Sequence, residues 1–244
     1  SNPRVVDVHH PRLAWINQVS SAKVRGEYQT AYRICVASSK DLLLKGKPDV
    51  WDTGKVSSSN SYLISYDGSA LKSGKDYWWR VMVWNNRGVD SNWSEVAYWG
   101  MGLLSSSDWT AQWIGASREG IAPLLRKSFE VDNNVASAKV FVSGLGYFEL
   151  YMNGRKVGND YFVPNLTNYT PREGLKHAGI AIDDNFRDYR VLYMSYDITN
   201  LLQKKQNVIG AILGNGFYDC KSGCVCTFGT PCLLCQIVLT YKAG

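Results

Sequence analysis

The sequence predicts an all-β molecule built as two sandwiches in series, and three observations predict it. Aromatic residues are abundant, with 9 Trp and 15 Tyr in 244 residues, and such side chains favour pleated, half-buried surfaces. Short alternating runs are separated by turn dipeptides such as Asp67-Gly68, Ser73-Gly74 and Arg87-Gly88, a spacing typical of sheet proteins. The residue types are also divided unequally: all 9 Trp fall in residues 1–113, whereas five of the 6 Cys fall after residue 219. That break predicts two separate cores, which a chain of this length has enough residues to form.

In the first module, Ala31–Ala37, Ser61–Tyr66 and Asp76–Trp84 read as strands. Side chains alternate along a strand, so Tyr77, Trp79, Val81 and Val83 share one face, and Trp78, Arg80, Met82 and Trp84 the other. Bulky groups on both faces predict one face on the core and the other covered by neighbouring side chains. Cys35, alone in its run, is expected to pack as a small hydrophobe. The segment Leu71-Lys-Ser-Gly74-Lys-Asp-Tyr77 has the spacing of a tyrosine corner, in which the phenol bonds back to upstream backbone. Together with Arg80–Gly88 and Ser91-Asn-Trp-Ser94, it resembles a fibronectin type III domain. We place this module at residues 1–104 and a linker at 105–112, the polar stretch Ser105-Ser-Ser-Asp108 marking the break. Trp109 and Trp113 are expected to pack between the modules.

The second module, residues 113–244, is also read as β. Leu124–Val131, Ala136–Ser143, Tyr147–Met152, Asn207–Leu213 and Cys232–Tyr241 are the predicted strands, and Asn153-Gly154 is a strong hairpin signal. One short helix is predicted over Asp197–Gln203, capped by Asp197 or Thr199.

Several function classes are disfavoured. The net charge is +6, but residues 1–113 carry 13 Lys/Arg against 10 Asp/Glu and residues 114–244 carry 14 against 11. An excess of 3 in each half is solvated surface, not the clustered patch that nucleic-acid binding needs. No run approaches the ~20 apolar residues of a membrane span. His9-His10 and His177 accompany no nucleophile motif, and the neighbours Asp183-Asp184 are badly placed to flank one glycosidic bond. The cluster Cys220, Cys224, Cys226, Cys232 and Cys235 has the spacing C-x3-C-x-C-x5-C-x2-C and no nearby His, which fits no standard zinc pattern. One or more disulfides are the expectation there, with free buried thiols as the alternative. No acidic loop is dense enough to announce a calcium site. No cofactor and no metal are therefore assigned.

A family resemblance lies in the second module. Tyr147–Gly158, Pro164-Asn-Leu-Thr-Asn-Tyr169, Tyr196-Asp-Ile-Thr-Asn-Leu-Leu202 and Asn207–Tyr218, in that order, resemble the N-terminal domain of bacterial α-L-rhamnosidases. Val50–Lys55, Trp78-Trp-Arg-Val81 and Met101-Gly-Leu103 are similar to the fibronectin-like domain that precedes it. The resemblance implies a jelly-roll, galactose-binding-like sandwich and a parent that hydrolyses terminal α-L-rhamnosyl linkages in the periplasm or outside the cell. It also implies that the acid and base carboxylates lie on an α/α-barrel catalytic domain of the same parent chain, so that no residue here is catalytic. The expected partner is a rhamnose-containing glycan. Pyranose C–H faces stack on aromatic rings while hydroxyls need amides and carboxylates, so the candidate sugar-facing residues are Asn153, Asn165, Asn168, Tyr169, Asn215, Phe217, Tyr218 and Asp219. The competing readings are a structural spacer and an adhesion or protein-interaction module, since such sandwiches are widely reused.

Overall fold

Alternation with period two decides which side chains meet in this chain, and two separate cores result. The computed structural model describes residues 2–19, 25–116, 122–132, 134–167, 169, 190–220 and 228–242. The chain divides into two units, Ser1–Asp108 and Trp109–Gly244.

The first unit contains β1 (Arg12–Leu13), β2 (Gln29–Ala37), α1 (Lys40–Leu44), β3 (Trp51–Asp52), β4 (Val56–Ser57), β5 (Ile64–Ser65), β6 (Asp76–Asn85) and β7 (Ala97–Gly100). One sheet runs β3-β2-β6-β7, with β4 also pairing β2, and the other is the short antiparallel pair β1-β5. Tyr77, Val81 and Trp99 are buried in its core with Ile34, Val36 and Tyr66, and Trp79 and Val83 pack against it. Of the two faces that the alternation defines in β6, the one carrying Tyr77, Trp79, Val81 and Val83 is therefore the core face. On the opposite face, Trp78 packs with Cys35 and Leu43, and the guanidinium of Arg80 lies 4.3 Å from the Trp93 ring centre. The Tyr77 hydroxyl accepts a hydrogen bond from the Lys72 N–H at 2.9 Å, the predicted corner. The five-residue helix α1, capped by Ser39, was not anticipated, because it is too short to show a helical period. The predicted strand Ser61–Tyr66 contracts to Ile64–Ser65, where β1 provides a partner.

The second unit contains β8 (Ile114–Gly115), β9 (Leu124–Val131), β10 (Val135–Leu145), β11 (Tyr147–Met152), β12 (Arg155–Lys156), β13 (Met194–Asp197), β14 (Lys205–Gly214) and β15 (Cys232–Tyr241). Two antiparallel sheets, β13-β10-β15-β8 and β12-β11-β14-β9, form the sandwich. Their inner faces bring Ala138, Val140 and Val142 together with Phe148, Leu150 and Met152. Fully burying each of these side chains other than that of Ala138 contributes about 1.5–3 kcal/mol. The predicted helix over Asp197–Gln203 is one 3-10 turn, Thr199–Leu201. The N-cap is Ile198, which makes no side-chain cap bond, in place of the expected Asp197 or Thr199; Asp197 Oδ1 instead accepts from the Thr199 N–H at 2.9 Å as an Asx turn.

Trp109 is used inside the second unit, edge-on to Tyr193 at 5.3 Å and to Phe141 at 6.5 Å. Thr110 and Ala111 follow it across the same sheet face, both donating backbone N–H groups to the Gln236 side chain. The predicted linker therefore ends at Asp108, and Trp109 belongs to the sandwich that follows.

Candidate ligand-binding site

The sequence-predicted residues separate into two places. Asn153 sits at the hairpin end of β11 with φ 50°, and its side chain is fully employed. Nδ2 donates to the Leu201 carbonyl and to Asn207 Oδ1, at 2.9 and 2.8 Å, and Oδ1 accepts from the Val208 N–H at 2.8 Å. Asn153 is thus a structural clamp and not a free sugar contact. The other end of the six-residue β11 is about 20 Å away at ~3.4 Å per residue. The remaining described candidates gather there, while Asn168 lies outside the described residues.

At that end, glycines let two loops pack closely. A Cβ on Gly146, with φ +113°, would stand 2.2 Å from the Gly214 carbonyl oxygen, and one on Gly216 would stand 3.1 Å from the Tyr147 ring. The turn following Gly214 is closed by Asn215, whose carbonyl accepts the N–H groups of Tyr218 and Asp219. This turn sends Phe217 outwards and Tyr218 inwards.

Phe217 and Phe162 meet the Tyr147 ring edge-on, with centroids at 6.3 and 5.7 Å. Phe217 is 52% and Phe162 75% exposed, so the cluster presents ring surface to solvent. Phe162 also adopts φ 55°, a conformation that costs an L-residue about 1–3 kcal/mol and clusters at functional sites. Asn165 lies exposed on the same loop. Tyr169 is edge-on to both Tyr218 and Phe228 at 5.2 Å, and Tyr218 stacks on Phe228. Burial pushes the Tyr169 and Tyr218 hydroxyls above the ordinary phenol range. Asp219 is 6% exposed, and among the described residues its Oδ1 has no hydrogen-bond partner. A buried acceptor left open costs free energy that a hydroxyl donor would recover.

Along the outer face of β11, Tyr147 is followed by Glu149 and Tyr151. Glu149 accepts from the Tyr151 hydroxyl at 2.7 Å and from Lys156 Nζ at 3.1 Å. Lys156 Nζ also stands 3.8 Å from the Tyr161 ring centre. The Tyr151 hydrogen bond, then that of Lys156, holds the Glu149 carboxyl below its ordinary range. This is the opposite of what a general acid requires. The exposed rings, the amides of Asn165 and Asn215 and the open carboxylate oxygen are the groups that recognise a polyhydroxylated, partly apolar ligand. Sequence reasoning missed Tyr147, Phe162 and Phe228 as members of this site, because a ring beside a turn in sequence usually packs inwards.

Of the cluster expected to form disulfides, Cys232 and Cys235 are thiols, and Cys35 is a buried thiol, as expected of a small hydrophobe. Cys232 and Cys235 are three residues apart on one strand and so point to opposite faces, which also prevents them from sharing a metal. Burial raises the Cys35 thiol to about 11 and the Cys235 thiol to about 12. Cys224, Cys226, His177 and Asp183-Asp184 lie outside the described residues.

Comparison with known proteins decides the family. The model of the Rha78A-like, N-terminal immunoglobulin domain matches residues 1–105, and that of the alpha-L-rhamnosidase N-terminal domain matches residues 133–181 and 182–244. The chain belongs to the N-terminal region of the α-L-rhamnosidases. An alpha-L-rhamnosidase of Formosa agariphila is 34% identical across 100% of this chain, which corresponds to 27% of that protein. The solved alpha-L-rhamnosidase of Dictyoglumus thermophilum matches 99% of the chain with TM-score 0.81 and 31% identity, over 26% of its own length. That of Aspergillus terreus matches 99% with TM-score 0.77 and 25% identity, again over 26% of its length. The chain thus spans about a quarter of the rhamnosidases it resembles.

Proposed function

We propose that this chain is the non-catalytic front section of an α-L-rhamnosidase, and that the loop end of its second unit holds a rhamnose-containing glycan. In this reading a catalytic domain elsewhere in the parent chain cleaves the terminal α-L-rhamnosyl linkage, in the periplasm or outside the cell. The observation that carries the binding role is the exposed cluster of Tyr147, Phe162 and Phe217. Soluble proteins rarely leave several large rings together in solvent without a use for them. Rhamnose, a 6-deoxy sugar with a methyl group, offers both an apolar edge for such rings and hydroxyls for Asn165, Asn215 and Asp219. The non-catalytic role is supported by Glu149, whose hydrogen bonds favour its charged form. A glycosidase needs one carboxyl raised and a second about 5–10 Å away.

Amide chemical shifts followed during titration with L-rhamnose and rhamnosylated oligosaccharides test the binding role. Shifts confined to residues 145–147, 161–166 and 214–219 at millimolar sugar are expected, and the spacer reading prevails if nothing moves. Turnover of a chromogenic α-L-rhamnoside by the purified chain would remove the non-catalytic assignment.

A further inference from the structure

We propose that the first unit carries a glycan-binding cleft of its own, which takes a neutral pyranosyl unit against Trp15 and Trp79. A cleft of about 380 Å³ opens there. That volume lies within the range of small-molecule sites, which combine aromatic walls with a few polar groups. All of its lining falls between Pro3 and Trp99, so the cleft belongs to this unit alone.

The pairing of β6 accounts for the opening. Trp79 stands on the core face of that strand, yet it is only partly buried. Its neighbour across the ladder is Ala97, the first residue of β7, and one methyl group cannot cover an indole. In the other sheet, β1 is only two residues long. Protein interiors are close-packed and keep few voids larger than a water molecule. An opening of this size beside core-facing rings is a departure that a ligand would explain.

The aromatic walls are fixed before any ligand arrives. The Trp15 indole N–H donates to Oε1 of the buried Gln29 at 3.0 Å, and its ring lies edge-on to Tyr32 at 5.2 Å. Trp99, also in the lining, donates its N–H to the Met101 sulfur and stacks on Tyr77 at 5.6 Å. Rings already held in place lose little freedom on binding.

The rim adds opposite charges. Arg12, on β1, and Glu95, just before β7, both line the cleft and are exposed. Among the described residues neither is held in an ion pair or a side-chain hydrogen bond. The position of Glu95 is set by Ser94, which is stitched to β6. The Ser94 N–H donates to the Val81 carbonyl at 2.8 Å, and its hydroxyl accepts from the Val81 N–H at 3.1 Å.

One cation and one anion beside apolar rings suit a neutral ligand with an apolar face and hydroxyls at its edge. A pyranose has that form. Its C–H face stacks on an indole, while a guanidinium donates to hydroxyl oxygens and a carboxylate accepts from hydroxyl hydrogens. A charged ligand would meet its like at one of the two rim groups. The cleft is separate from the loop end of the second unit, and the inference does not depend on sugar binding there.

Indole N–H signals of the 244-residue chain, followed by NMR during titration with L-rhamnose, D-galactose, D-glucose and lactose at millimolar concentration, test it. At least one of these sugars should shift Trp15 and Trp79 and leave Trp51 and Trp93 in place. The response should survive the combined Phe162→Ala and Phe217→Ala substitutions, which separates it from the second unit. Combining Arg12→Gln with Glu95→Gln, both at exposed positions, should weaken binding about tenfold or more and leave the unfolding midpoint unchanged. If no sugar moves Trp15 or Trp79, or if the double rim variant binds as tightly as the wild type, the proposal fails. It also fails if a proline-rich peptide, another ligand of aromatic grooves, shifts these signals at lower concentration than any of the sugars.

Discussion

At the level of single residues, one buried amide side chain fastens the interior of each unit. Gln29 is 6% exposed, and its Oε1 accepts from Trp15 Nε1 and Asn17 Nδ2 while Nε2 donates to the carbonyls of Ser58 and Asn60. Asn207 is fully buried, accepts from the Gln203 N–H and Asn153 Nδ2, and donates to the carbonyls of Gln203 and Lys205. Asn207→Ala would leave these partners unsatisfied in the interior and is expected to destabilise the second unit by about 2–4 kcal/mol, read from urea unfolding. By contrast, Phe217→Ala and Phe162→Ala remove exposed rings. They should leave the unfolding midpoint nearly unchanged yet weaken glycan binding by about tenfold or more, measured by calorimetry. If both retain wild-type affinity, the aromatic cluster is not the contact surface.

Secondary-structure elements respond to pH through the Glu149–Lys156 pair on β11 and β12. Glu149 has a folded-state pKa below its unfolded value, so its contribution is complete above about pH 4.3 and is lost as pH falls through the folded value. Lys156 is raised, chiefly by Glu149, so its contribution is complete below about pH 10.4 and is lost above that. The stability difference between wild type and Glu149→Gln should therefore be flat between these limits and shrink below pH 4, as thermal melts would show. In the first unit, Tyr77→Phe removes the acceptor of the Lys72 N–H and should cost about 1–2 kcal/mol. This hydrogen bond was legible in the sequence from the Leu71, Gly74 and Tyr77 spacing. The long strands were legible too, because alternation over eight or more residues leaves only one face for a core. The short pairs β3, β4 and β8 were not, since two residues carry no period and their pairing is decided by distant partners, whereas β12 follows the hairpin signal Asn153-Gly154. Asn153 shows the same boundary within the site. Its residue type suited a sugar, but the partners that occupy it come from residues 48 to 55 positions further along the chain.

For the whole molecule, two separate cores imply two folding units. Residues 1–108 expressed alone should unfold cooperatively, and scanning calorimetry would contradict this by showing no transition. The position of the break also has a spectroscopic consequence. Seven of the nine indoles lie before residue 109, leaving only Trp109 and Trp113 beyond it. Intrinsic emission of the intact chain is therefore dominated by its front half and is nearly blind to glycan arriving at the rear. Replacing those seven with phenylalanine or tyrosine where packing allows would convert Trp109, edge-on to Phe141 and Tyr193, into a private reporter for the rear sandwich. Replacing the two instead would silence that half and leave the front to be followed by itself.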